Sequence, residues 1–435
     1  MSQSHNVSES KSKFTLCDLA TLRPCDFKLI KNKSQPIMKK IFTLLIIAFC
    51  VIGVNAQQAA TTQDKSLYEE LSGVKKKTDK FNLYMNMNGS FDAMFNDAGF
   101  DYGKFNMRQL RIEAKGNVNE WLSYRWRQRL NRPNNGGDNI DNLPTSIDIA
   151  GIGVKLSDKF SLFLGKQCAA YGGFEFDANP IEIYEYSDMI EYMSNFLTGV
   201  NIGYDFMPGQ QLNFQVLNSL NAPFNDTYGV FPNDNMEAIP GSKAIPSKLP
   251  LVYTLNWNGN FSNIYKTRWS ASIMSQAEGK NLYYYAFGNE LTFGKFNMYL
   301  DFMYSNDAID RGGIMTGIIG EQDDHNVMNA AYMSIVTKLN YRIANKWNIF
   351  VKGMYETASI TKSSQGFDTP TIEKGKYRTS LGYFGGIEYY PMESNLHFFL
   401  TYVGRHYMYN HELVNYKDYS TNRVSVGFIY QLPMF

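Results

Sequence analysis

The sequence predicts an all-β fold, a transmembrane antiparallel up-and-down β-barrel of about 16 strands, and three observations lead to this prediction. First, apolar and polar residues alternate with a period of two from Phe81 to the end of the chain. Second, short and long connections between these segments alternate along the chain. Third, the chain of 435 residues contains 30 Tyr and 30 Phe but only 19% charged residues. This combination is typical of many amphipathic strands.

An export signal precedes the strands. Two lysines are followed by the apolar run 41–54 and then by Ala56. A basic start, an apolar stretch and small residues beside the cleavage site are the features of a secretory signal peptide. We therefore expect 38–56 to be a signal peptide cleaved after Ala56, and 1–37 to lie upstream of the true start at Met38. The alternative interpretation is a buried hydrophobic helix.

Cysteine and charge content exclude some classes of protein. Only Cys168 lies beyond the predicted signal peptide, so the exported chain has no internal disulfide. It also has a slight excess of acidic residues, which gives no argument for a nucleic-acid partner. Residues 57–80 are polar and are expected to form a periplasmic tail or a short helix. The barrel is expected to occupy residues 81–435.

The strands are read from the alternation itself. Apolar residues occupy every second position of 296–304, 347–355 and 424–432. In hydrocarbon every backbone N–H and C=O needs an internal partner, so strands can cross a membrane only as a closed barrel. A soluble β-sandwich is the alternative, but sandwiches do not sort their loops so regularly by length.

The connections fall into two classes that alternate along the chain, apart from the brief link Gln276–Asn281. We expect the short ones to be periplasmic turns and the long ones to be extracellular loops. The short links are Asn117–Glu120, Ser157–Lys159, Met207–Gln210, Gly259–Ser262, Phe293–Lys295, Ile343–Lys346 and Pro391–Ser394. The long links are Asp92–Gly103, Arg132–Leu143, Ala169–Ser194, Leu220–Lys248, Asn306–Asn326, Thr361–Lys376 and Tyr409–Ser420.

Aromatic residues near the strand ends are typical of the girdles at the two membrane interfaces. The chain also stops at an aromatic residue, Phe435, as expected of a strand that the barrel-assembly machinery recognises. The girdle candidates are Trp121, Tyr124, Trp126, Tyr253, Trp257, Trp269, Trp347, Tyr389 and Tyr402.

Basic residues concentrate on the polar face of two neighbouring strands. A lipid-facing arginine near the middle of the membrane costs about 2–4 kcal/mol, so these side chains are expected to face the lumen. They are Arg111, Lys115, Arg125, Arg127 and Arg129, with Glu113 among them. The alternative is a solvated wall without a role in selectivity. A thinner scatter of inward candidates comprises Lys266, Arg268, Lys338, Arg342, Lys352 and Arg405.

The long loop 169–194 is the acidic counterpart of this wall, because it contains six carboxylates and no Lys or Arg. If it folds into the lumen, its carboxylates lie across from the arginines and form a constriction, where rows of charge select ions. The alternative is an acidic surface loop outside the pore. The proposed constriction residues are Glu175, Asp177, Glu182 and Glu185, and the loop also carries Asp188 and Glu191.

Signals for catalysis are poor. The histidines beyond the signal peptide lack metal-ligand spacing, apart from a weak His406–His411 pair, and no nucleophile elbow or phosphate-binding loop occurs. We therefore predict neither an enzyme nor a cofactor or metal site. An outer-membrane hydrolase is kept as a rival class, although no Ser/His pair can be nominated for it.

The chain from Phe81 to Phe435 resembles the phosphate-selective porin O/P family in the form found in Bacteroidetes. The resemblance lies in Met107–Lys115, Leu122–Arg129, Phe163–Gln167, Gly199–Tyr204, Lys346–Tyr355 and Arg423–Tyr430. It implies a barrel of sixteen strands, usually a trimer, that admits anions past a basic wall. By position, the family's basic lumen residues correspond to Arg111, Arg125 and Arg127. Two features depart from the family pattern, namely the slight acidic excess of the exported chain and the six carboxylates of the loop 169–194. They favour a general or differently tuned porin over strict phosphate selectivity.

These features predict a passive outer-membrane channel for small hydrophilic solutes, with anions, including phosphate, favoured. The alternative is a plugged adhesin-type barrel without conductance. Expected partners are small anions, lipopolysaccharide, the barrel-assembly machinery and two further copies of the chain. The pattern leaves two orientations open. Either Ile147 and Ile149 or Ile152, Val154 and Leu156 face lipid, and either Lys166 or Gln167 faces the lumen.

Overall fold

The computed structural model describes residues 71–73, 79–134, 139–231, 243–320, 325–364, 371–392 and 395–435. The predicted signal peptide with its cleavage site, and most of the polar segment 57–80, lie outside the described residues. No helix within the described part of the chain is long and apolar enough to cross a membrane.

Sixteen antiparallel strands of the described chain form a closed barrel, in which each strand pairs with its sequence neighbours and β1 pairs with β16. This confirms the predicted fold class. The strands are β1 Asn82–Asn96, β2 Gly99–Asn117, β3 Leu122–Arg129, β4 Ile147–Lys155, β5 Phe160–Cys168, β6 Phe196–Met207, β7 Gln210–Asn218, β8 Leu251–Phe261, β9 Tyr265–Ala277, β10 Lys280–Phe293, β11 Phe296–Ile309, β12 Met328–Ala344, β13 Trp347–Ile360, β14 Gly375–Tyr389, β15 Leu396–Tyr409 and β16 Tyr419–Pro433.

Short helices occur in the loops. They are α1 Phe174–Asp177, α2 Asp188–Glu191, α3 Phe224–Tyr228 and α4 Ile314–Ile319, together with a 3-10 turn at Pro180–Glu182. All of them connect strands at the end of the barrel opposite the short turns. The helices therefore shape the loops and contribute nothing to the wall.

The alternation along each strand separates a lipid face from a lumen face. In β13, Val351 and Tyr355 are exposed on the outside, whereas Phe350, Lys352 and Glu356 are buried inside. Buried polar and charged residues are therefore lumen residues here, because the barrel interior holds the long loop described below. The period of two in the sequence is the direct cause of this division.

The prediction of a long first loop at Asp92–Gly103 is wrong. β1 continues to Asn96 and β2 starts at Gly99, so a tight hairpin replaces the loop. Two facing aromatic pairs hold this hairpin together, Phe91 with Phe105 at 5.1 Å between ring centroids and Phe95 with Phe100 at 5.5 Å. Cross-strand aromatic contacts stabilise a hairpin. They matter here because the first part of β2, 99–109, pairs with β1 but not with β3.

Pairing with β1 places the end of the chain in the wall. The Leu83 N–H donates to the Phe435 carbonyl at 3.0 Å, and the Met434 N–H donates to the Leu83 carbonyl at 2.7 Å. The rings of Phe81 and Phe435 lie 5.6 Å apart. The last residues thus complete the seam that closes the barrel, and closure removes the free strand edges.

Candidate functional site

The loop 169–195 between β5 and β6 folds into the lumen and contacts widely separated parts of the wall. The Asn88 amide of β1 donates to the Ile181 carbonyl at 2.8 Å. The Tyr184 hydroxyl donates to the Glu388 carboxylate of β14, also at 2.8 Å. Only a segment inside the barrel can reach both strands, so we name residues 169–195 the inner loop.

Two glycines and one aspartate set the path of the inner loop where it leaves the wall. Gly172 and Gly173 have φ values of 74° and 88°. A side chain at Gly172 would also meet the Arg268 carbonyl at 2.9 Å. The Asp301 carboxylate of β11 then accepts the N–H groups of Phe174 and Glu175 at 2.9 and 2.8 Å. The free N–H groups at the start of α1 are satisfied in this way.

Glu175 is buried and anchors the inner loop. Its carboxylate forms an ion pair with Lys352 of β13. The Ser187 hydroxyl donates to the same carboxylate at 2.6 Å, and Lys352 also donates to the Glu185 carbonyl at 2.7 Å. A buried carboxylate needs both a cation and hydrogen bonds, and Glu175 has both.

A second anchor surrounds Asp188 at the start of α2. Its carboxylate pairs with Arg405 at 2.7 Å and with Arg378. Arg405 also pairs with Glu356, which accepts the Asp188 backbone N–H at 2.6 Å. Two arginines and two carboxylates thus form one buried network between the inner loop and strands β13 to β15, and we name it the Arg405 network.

The other loop carboxylates divide between wall and cavity. Asp177 accepts from Arg268 at 2.6 Å, and Glu185 pairs with Arg423 at 2.8 Å. Asp177 and Glu191 line the cavity described below. Of the four residues proposed for a constriction, Asp177 is the one that lines the cavity. Glu175 and Glu185 are held against the wall by their ion pairs, and Glu182 lies outside the cavity lining.

The scattered basic candidates of the wall have specific partners. Arg268, Lys352 and Arg405 hold the inner loop. Lys266 pairs with Glu290 at 2.9 Å. Lys338 and Arg342 lie over aromatic rings, at 4.8 and 4.5 Å from the ring centroids.

The predicted basic residues of β2 and β3 come together on one face. Cross-strand pairing sets Arg111 opposite Arg129, Glu113 opposite Arg127, and Lys115 opposite Arg125. Arg125 donates to Glu113 at 2.9 Å. All six side chains line one cavity, and we name them the basic wall.

Sequence reasoning missed Asp148, the carboxylate at the centre of the basic wall. A bulge interrupts the pairing of β3 with β4 between Arg127 and Gln128, and Asp148 is the unpaired extra residue. Bulges redirect side chains. As a result Asp148 is buried among three arginines, at 2.8 Å from Arg129, 3.4 Å from Arg127 and 3.5 Å from Arg111.

The orientation of β4 follows a regular alternation apart from the bulge. Ile147 and Ile149 line the lumen cavity, whereas Ile152 and Leu156 are exposed on the outer face. Odd-numbered positions thus face the lumen and even-numbered positions face outward, so both apolar sets of the sequence are accommodated on opposite faces. Asp148 is the exception, because the bulge turns it inward, and the alternation in the sequence does not mark this position.

Two further basic residues join the cavity. Lys166 lines it and pairs with the buried Asp141 at 3.0 Å, whereas the neighbouring Gln167 is also buried and accepts a hydrogen bond from the Gln215 amide at 3.0 Å. Arg132, from the loop after β3, lines it as well. Neither was proposed as a wall residue, because the contacts come from loops whose paths are not periodic.

The cavity between the basic wall and the inner loop has a volume of about 640 Å³. Seven basic residues and three acidic residues line it. An anion in this cavity can exchange hydration water for charge-assisted hydrogen bonds to guanidinium groups. No group of three His, Cys, Asp or Glu residues in the described part of the chain is placed to hold a metal ion.

Residues 81–432 match the family model of the phosphate-selective porins O and P. The chain belongs to this porin family. The family and the closed barrel identify an outer-membrane channel protein, and the predicted resemblance is confirmed. A comparison with curated proteins finds no match.

Solved structures similar to this porin include the following two. The DcaP channel of Acinetobacter baumannii is 13% identical, with a TM-score of 0.52, over 81% of this chain and 96% of that one. OmpF of Salmonella typhi, in complex with daunomycin, is 14% identical, with a TM-score of 0.51, over 82% and 99%. At these identities the likeness shows the fold alone.

Asp148→Asn is expected to raise the ratio of anion to cation permeability by roughly threefold, because it removes one fixed charge from the basic wall. The reversal potential of the purified porin in a KCl gradient measures this ratio. Asp158→Asn, in an exposed turn, is the matched control. A lower anion preference in Asp148→Asn contradicts the assigned position of this carboxylate.

Proposed function

We propose that this porin is a passive diffusion channel for small hydrophilic solutes and that its basic wall favours anions, phosphate among them. The observation that supports this is the excess of basic residues around the cavity, seven against the three carboxylates that line it and the two, Asp141 and Asp148, that lie behind it. The ion pairs of Glu175, Glu185 and Asp188 with other parts of the wall contribute to this excess. An inner loop with free carboxylates would cancel the basic wall, whereas this one leaves a net positive charge.

Planar bilayer recordings test this proposal. Discrete conductance steps of the purified porin and an anion-selective reversal potential under a KCl gradient are the expected results. Adding phosphate is expected to reduce the chloride current, because both anions use the same guanidinium groups. A cation-selective reversal potential would overturn the anion preference, and the absence of steps would overturn the channel.

A plugged barrel without conductance is the second candidate, and the packing of the inner loop favours it. Tyr171 and Ile181 of the inner loop and Leu197 of β6 are almost completely buried inside the barrel, where they belong to a continuous apolar cluster. Such a barrel would serve adhesion through its outer loops. The same recordings separate the two candidates, since a plugged barrel inserts without conductance steps.

We further propose a homotrimer exported by a signal peptide cleaved after Ala56, with the barrel-assembly machinery and lipopolysaccharide as its partners in the membrane. The family resemblance supports the trimer, and the motif at 38–56 supports the export signal. N-terminal sequencing of the mature protein and chemical cross-linking in outer membranes test these two points. We expect neither catalysis nor a cofactor.

Acidification from pH 7 to pH 5 is expected to increase anion selectivity. Enclosure by protein and the neighbouring Glu185 raise the pKa of Glu191 above the ordinary value, despite the opposing effect of Arg132. A raised pKa means that Glu191 loses its negative charge at a higher pH than an ordinary glutamate. The cavity then becomes more positive as the pH falls. Glu191→Gln is expected to weaken this pH dependence of the reversal potential, and an unchanged pH profile contradicts the assignment.

A further inference from the structure

The two sides of the cavity differ in chemistry. One side is the basic wall. The other side belongs to the inner loop, where Phe176, Pro180, Tyr186 and Met193 present apolar surface beside the carboxylates of Asp177 and Glu191. An aqueous channel for inorganic ions has no need of an apolar face, because apolar groups give a hydrated ion nothing in exchange for its water.

The basic side has donors that no protein acceptor satisfies. Within the described chain, Nε and Nη1 of Arg111 and Nε of Arg127 are buried without a hydrogen-bond partner. Asp148 lies 3.4–3.5 Å from these guanidinium groups, which allows ion pairing without good hydrogen-bond geometry. These donors lie against Asp148 and have no accessible surface, so an anion in the cavity meets the more exposed guanidinium groups of Arg125 and Arg129.

We propose that the preferred solute is an organic anion with an apolar body, specifically an alkyl or aryl carboxylate. This inference rests on the proposed function and specifies its substrate class. The carboxylate binds the guanidinium groups of Arg125 and Arg129. Its hydrocarbon part packs against Phe176, Pro180 and Met193 of the inner loop.

Size and hydration agree with this assignment. A cavity of about 640 Å³ lies within the range of small-molecule sites, which is roughly 300–1,000 Å³. Phosphate can use only the basic side and leaves the apolar side wetted. A carboxylate with a hydrocarbon tail uses both sides, and the apolar contact adds to the same charge-assisted hydrogen bonds.

Block of the chloride current by added solutes tests the proposal. The probes are benzoate, acetate and inorganic phosphate, with benzyl alcohol as the uncharged control. Benzoate is expected to reach half-block at a concentration about tenfold below that of acetate, and benzyl alcohol is expected not to block. Equal half-blocking concentrations for benzoate and acetate, or a lower one for phosphate than for benzoate, would overturn it.

Two methionine variants locate the apolar contact. Met193→Gln is expected to reduce the advantage of benzoate over acetate by roughly threefold, because it places a polar group of similar size on the inner loop. Met207→Gln, in an exposed position at the end of β6, is the matched control and should leave the ratio unchanged. Arg129→Gln is expected to raise the half-blocking concentrations of benzoate and acetate by the same factor, because it removes a guanidinium group that both carboxylates use. An unchanged ratio in Met193→Gln contradicts the assigned apolar side.

Failure of this inference can be told apart from failure of the proposed function. A channel that prefers chloride over potassium but blocks equally with benzoate and acetate overturns only the substrate class. A barrel without conductance, or one that prefers potassium, overturns the proposed function itself.

Discussion

Replacing Arg405 with methionine is expected to detach the inner loop from the wall, so that single-channel conductance rises and the current becomes noisy. Arg405 is buried and pairs with both Asp188 and Glu356. Without it, Asp188 still has Arg378, whereas Glu356 loses its cation. Breaking a buried ion pair by removing one partner costs about 3–5 kcal/mol. Release of the inner loop is one way for the chain to hydrate the uncompensated carboxylate.

The double variant Arg405→Met with Glu356→Gln is the sharper form of this experiment. The amide has no charge to hydrate, so the double variant is expected to recover part of the quiet, low-conductance state. Lys155→Met is the matched control, since Lys155 pairs with Asp158 in an exposed turn. Exposed ion pairs contribute little. If conductance and noise in Arg405→Met equal those of the unmodified porin, the Arg405 network does not hold the inner loop.

Replacing Arg125 and Arg127 together with alanine is expected to lower the ratio of anion to cation permeability by roughly five- to tenfold, while the barrel still assembles. Both side chains project from one face of β3, about 7 Å apart along the strand. Their loss leaves Glu113 without its partner and reduces the positive charge around Asp148. The reversal potential in a KCl gradient is the measurement.

Assembly should persist in this double variant because lumen residues tune selectivity, whereas lipid-facing residues determine insertion. Yield of the heat-resistant oligomer on unheated gels checks this point. Ser272→Ala, on the lumen face of β9 and outside the cavity lining, is the control for an uncharged wall change. An unchanged reversal potential at unchanged yield would show that the basic wall has no part in selectivity.

The sequence by itself determined the barrel and the side of the wall on which its charges lie. Alternation is a property of neighbouring residues, and the strand geometry converts it directly into a lipid face and a lumen face. Arg111, Arg125 and Arg127 could therefore be assigned to one face before any pairing was known. The positions of the short turns followed from the same local pattern.

Only the tertiary structure decided the charge balance of the cavity. Asp148 joins three arginines through a bulge, and a one-residue insertion has no periodic signal. Glu175 and Asp188 pair with residues more than 170 positions away, and such pairing depends on the path of the inner loop. Local alternation contains no information on which distant cation meets which carboxylate, because that choice is made by packing inside the closed barrel.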